Sequence, residues 1–154
     1  MKTRRILAAL VCAALALTAC GGEKPVDPAA AKTAVQALEL DGETPFKNFY
    51  QPDDAYITTV MGIDTSLLSD YAVLVSNDDL DPCMVLLLVP AQGQRDAVKN
   101  AVSESLVNYQ RRWDNYLPEQ AVLVSDRLET EVGDCIVAII STDNDTVLET
   151  IRNA

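Results

Sequence analysis

Leu17-Thr18-Ala19-Cys20 is the stretch whose residue types and spacing most directly imply chemistry. A thiol placed after two small residues, at the end of an apolar run, suits transfer of a diacylglyceryl group to sulfur and cleavage on its amino side. Small Thr18 and Ala19 let a lipoprotein signal peptidase reach the bond before Cys20. Two acyl chains at about 0.8 kcal/mol per buried methylene give a stable anchor where one chain is marginal. The residues upstream agree. Lys2, Arg4 and Arg5 make a basic start, and the fourteen residues from Ile6 to Ala19 carry no charge. A helical span needs about 20 apolar residues, so this run has the length of an export signal. The alternative is a plain signal peptide with an incidental cysteine, as Cys12 must be.

Three further constellations could carry chemistry. Asp78, Asp79 and Asp81 share the loop NDDLDP, and such oxygens could hold calcium, though the glycine and distal glutamate of an EF-hand loop are missing. Gln110-Arg111-Arg112-Trp113 sets two arginines beside an aromatic, so Arg111 and Arg112 are candidates to receive an anionic group. The preferred account is structural: Trp113 packs in the core and both arginines lie on a solvated helix face near its carboxyl end, so both features already have a use. Asp143-Asn144-Asp145 sits where a helix needs a cap and negative charge, which accounts for it.

The chain has 154 residues and no histidine. Serine–histidine and cysteine–histidine nucleophile pairs and histidine-ligated zinc are thereby excluded. Catalysis would fall to carboxylates (Asp78 or Asp81 with Asp143), Lys, Tyr or a thiol; the expectation is a protein that is not an enzyme and needs no cofactor. Without residues 1–19, nine basic residues stand against 23 acidic ones, a net charge of −14. Nucleic acid and anionic head groups repel such a surface.

The elements that must position these residues follow from periodicity. A signal peptide over 1–19, a lipidated cysteine and flexible tether over 20–28, and one domain over 29–154, best defined from 50, are expected. Asp27-Pro28 starts a short helix ending near Gly42, and Pro52 opens a second, ending at Gly62. Strands are expected over 71–76 and 83–90, then a long helix from Gln94 to Tyr116 with Val98, Val102, Leu106, Tyr109, Trp113 and Tyr116 as its apolar stripe. Pro118 stops it. Residues 121–132 alternate as a third strand, Gly133-Asp134 makes a two-residue hairpin turn, and CIVAIIS returns as a fourth. An acid-started helix ends the chain. The order β-β-α-β-β-α predicts an α+β domain, a four-stranded, mostly antiparallel sheet with helices packed on one face, preceded by short helices. It also places Cys83 and Cys135 at opposite ends of the sheet, beyond the roughly 7 Å between Cα atoms that a disulfide allows. Two free thiols are expected.

The lipobox, MGIDTSLLSDYAVLVS, YQRRWDNYLPEQ and VGDCIVAIIS together resemble a family of small clostridial-type lipoproteins catalogued as a domain of unknown function, family 4358. The resemblance covers roughly residues 50–154 plus the anchor. It implies an exported, membrane-tethered protein of a Gram-positive cell and supplies no activity, ligand or site residue beyond Cys20. The expected function is a membrane-anchored, extracytoplasmic binding module meeting an envelope protein partner. A small-ligand or solute-binding lipoprotein serving a transporter or sensor is the alternative, and a histidine-free enzyme the third class.

Overall fold

The computed structural model describes residues 24–154. The signal segment, Cys20 and residues 21–23 of the tether lie outside the described residues. Helix α1 (Pro28–Gln36) begins as its sequence requires: the Asp27 carboxylate accepts from the amides of Ala29 at 2.9 Å and Ala30 at 3.0 Å, and Pro28 takes the first helical position. The helix stops six residues before Gly42. Asp41 and Gly42 both have positive φ and form a two-residue turn between the bridged Leu40 and Glu43, a conformation that Asp-Gly favours.

Helix α2 (Asp54–Thr59) is capped by Asp53, and a single 3-10 turn leads into strand β1 (Leu68–Val75). Then come β2 (Met84–Pro90), the 22-residue helix α3 (Arg95–Tyr116), α4 (Pro118–Ser125), β3 (Leu128–Val132), β4 (Cys135–Ile140) and α5 (Asn144–Arg152). The four strands form one antiparallel sheet in the order β1-β2-β4-β3. The β3–β4 turn is Gly133-Asp134, with φ +58° at the glycine.

Alternation on the two central strands sorts the core into two layers. Val85, Leu87 and Val89 of β2, with Cys135, Val137 and Ile139 of β4, pack under α1 and α5 through Ala31, Val35, Val147 and Ile151. Met84, Leu86 and Leu88, with Ile136, Ala138 and Ile140, pack under α3 and α4 through Val98, Val102, Leu106 and Val124. The helices therefore cover both faces, where one covered face was expected. The reason is legible in β2 itself, which is buried on both sides for six residues running. Among the described residues the core runs from Val26 to Ile151.

Residues 121–132, expected as one strand, divide at Asp126. Pro118 ends α3 and at once starts α4 at its first position, and Ala121 and Val124 bury at helical spacing while Val122 stays 57% exposed. Only Leu128–Val132 pairs with β4. Tyr116, assigned to the buried stripe of α3, is 58% exposed. Cys83 and Cys135 are free, as expected. Met84 pairs with Ile140 and Leu88 with Ile136, so the two cysteines flank opposite ends of the β2–β4 ladder, roughly 20 Å apart.

Candidate functional site

The loop joining β1 to β2 organises itself. Asp78 accepts from the Leu80 amide and Asp81 from the Cys83 amide, both at 2.9 Å, while the Asp81 amide donates to the Asp78 carbonyl at 3.0 Å. These are turn-forming bonds of the Asx kind. Among the described residues no three carboxylates or thiols converge as a metal-ligand set, so Asp78, Asp79 and Asp81 are not gathered around an ion site.

They do line a cleft. About 670 Å³ of space opens between this loop, the exposed side of α2 and the carboxyl half of α3. Asp78, Asp79 and Asp81 stand on one wall and Ser105, Asn108 and Arg112 on the other, over a floor of Val75, Met84 and Met61. Tyr50, Tyr56 and Tyr116 supply aromatic faces around it and are each more than one-third exposed. The sequence set the acidic loop and the arginine pair 30 residues apart as unrelated candidates; antiparallel pairing and the return of α3 bring them to one place. Tyr50 reaches it by a reciprocal backbone bridge to Val75, each N–H···O 3.0 Å. No local periodicity marks Tyr50 or Tyr56, and both were missed in the sequence.

The aromatic ladder of α3 forms the back of the cleft. Tyr109, Trp113 and Tyr116 meet edge to face, with centroids 6.0 Å apart at each step, and the Arg112 guanidinium stands 5.7 Å from the Tyr109 ring centroid. The Tyr109 hydroxyl donates to the Pro82 carbonyl at 3.1 Å, fastening the acidic loop to the helix. Burial pushes its phenol up to about 12, against the lowering influence of Trp113 and Arg112 beside it. Trp113 is buried, and no acceptor meets its Nε1 at hydrogen-bond geometry despite the nearby Tyr109 hydroxyl. The two arginines part company. Arg112 lines the cleft, whereas Arg111 does not and instead donates to Oδ1 of the wall residue Asn108 at 3.2 Å. Neither lies in the last turn of α3.

Asp143 takes no part in the cleft. Its carboxylate caps α5, accepting from the Thr146 amide at 3.0 Å and the Thr146 hydroxyl at 2.7 Å, which holds it below the usual carboxylate range. The thiols are likewise withdrawn. Burial, with Asp81 adding to it, pushes Cys83 up, and burial pushes Cys135 up to about 12.

The family model for the domain of unknown function DUF4358 matches residues 28–153. The chain belongs to this family. No curated protein and no solved structure matches it. The DUF4358 match begins at the first residue of α1 and ends just beyond the last of α5, so it includes α1, which the resemblance over 50–154 left out. Every wall of the cleft is therefore part of the DUF4358 domain. No helix among the described residues is long and apolar enough to cross a membrane.

Proposed function

We propose that this DUF4358 protein is a binding module of the cell envelope, held on the extracytoplasmic face by a diacylglyceryl group on Cys20, and that the cleft is the surface that meets its partner. The convergence of three carboxylates, an arginine and exposed tyrosines in one concave place carries the proposal. Tyrosines give large contact area at low entropy cost, and a rim of carboxylates favours a protein segment bearing basic and apolar side chains. The same charge disfavours nucleic acid. A photocrosslinking residue in place of Tyr116 tests this in cells. One dominant protein should be captured from the wild-type background, and lost both with Cys20→Ala and with the charge reversal Asp79→Lys. Capture that ignores both changes would remove the support.

The size of the cleft favours a second reading, a receptor for a small solute serving a transporter or sensor, because ligand pockets typically hold about 300–1,000 Å³. A thermal shift with a small metabolite, abolished by Arg112→Ala, separates it from the first.

A further inference from the structure

We infer that the β3–β4 turn is the membrane-facing end of the domain, and that the cleft opens at the opposite end, into the aqueous phase. The inference rests on the lipid anchor proposed at Cys20 and adds to it an orientation. The tether is clamped to that turn. The Val26 amide donates to Asp134 Oδ1 at 3.2 Å. The Lys24 carbonyl oxygen lies only 2.5 Å from where a Cβ on Gly133 would stand, so the backbones meet at a place that only glycine leaves open. Lys24 is four residues from Cys20, a reach of at most about 14 Å when extended.

The cleft lies at the far end of the sheet. The turn follows the Val132–Cys135 rung, whereas Val75, Met84 and the acidic loop gather at the Met84–Ile140 rung. The length of β4, about 17 Å, separates the two. At the clamped end Lys99 reaches Glu131 at 2.6 Å and Arg95 contacts both Glu131 and the Asp134 carbonyl, so the turn is also fastened to α3. The occupant therefore arrives from outside the bilayer.

Trp113, the only tryptophan of the chain, lies in the cleft and is a built-in probe. Residues 20–154 are coupled through Cys20 to a maleimide lipid in vesicles containing dansyl-phosphatidylethanolamine; burial keeps Cys83 and Cys135 protonated and slow to react. The reference is the same protein with Cys20→Ala and Leu80→Cys, coupled through the exposed β1–β2 loop. Energy transfer from Trp113 to dansyl should be several-fold lower for coupling at Cys20 than at position 80. Asp134→Ala, which removes the acceptor of the Val26 amide, should raise transfer in the Cys20-coupled form. Equal transfer from the two attachments overturns the orientation, and an unchanged value in Asp134→Ala overturns the clamp. Because the coupling is chemical, neither result depends on whether cells lipidate Cys20; the mass of the mature amino terminus decides that separately.

Discussion

Tyr109 joins three parts of the molecule with one side chain: its hydroxyl holds Pro82, its ring meets Trp113, and Arg112 stands over its face. Tyr109→Phe keeps the ring contacts and leaves the buried Pro82 carbonyl without its donor. A loss of about 1 kcal/mol in urea unfolding is expected, with the β1–β2 loop amides exchanging faster. Arg111 and Arg112 show what rotation does to neighbours of one type. One residue turns a helix by about 100°, so Arg112→Ala should weaken binding of a cleft ligand more than Arg111→Ala, which acts only through its bond to Asn108, as a titration of each variant would show. The sequence offered the two as one unit, and nothing in their identity separates them. The free thiols also make a residue-scale prediction. Cys83 and Cys135 should react slowly with a thiol reagent in the folded protein and fast in denaturant, without prior reduction.

Among the elements, α4 is the one that the sequence misplaced, and Val122 and Val124 decide its conformation. A strand puts both on one face; the helix exposes Val122 and buries Val124 completely. Val122→Glu should therefore stay within about 0.5 kcal/mol of wild type, whereas Val124→Glu should cost several kcal/mol or prevent folding, read from urea midpoints. The misplacement has a physical cause. AVLVS is short, apolar and β-branched, and residues 127–132 after it truly alternate, so period 2 extends backward until Pro118 and the packing against α3 are known. Elsewhere the caps and turns were legible, because Asp27-Pro28, Asp143 and Gly133-Asp134 act locally. The cleft was legible only as fragments, since its walls come from residues 50 to 116 and meet through long-range pairing. The one-faced sheet erred in the same way: β2 displays burial on both sides, but which helix covers which side depends on the crossover from β2 to β3.

At the scale of the whole molecule, the missing histidine becomes a thermodynamic property. Asp64, Asp143 and Glu131 are held below their ordinary values by hydrogen bonds from Ser66, Thr146 and Lys99 respectively. Their stabilisation is present above the unfolded values and is lost as pH falls through the lower folded ones. Tyr71, raised to about 12 chiefly by its bond to Asp54, acts with Tyr109 and the thiols on the other limb. Their contribution is complete below the unfolded values and is lost as pH rises toward the raised folded ones. Ordinary carboxylate values lie below about 5 and the ordinary thiol value near 8.5, so Tm should be nearly flat between roughly pH 5.5 and 7.5 and fall on both sides, as calorimetry across pH would show. The order β1-β2-β4-β3 has a further consequence, in time rather than in space. Of the elements described, the inner strand β4 and the helix α5 that closes over α1 are synthesised last. Until residues 135–152 emerge, β2 has a partner on one side only, and a lone hairpin is marginal in water. Completion of the sheet also waits on closing a loop of about fifty residues, which slows folding relative to local pairing. The domain thus remains an unfolded polymer during synthesis until these two elements have emerged.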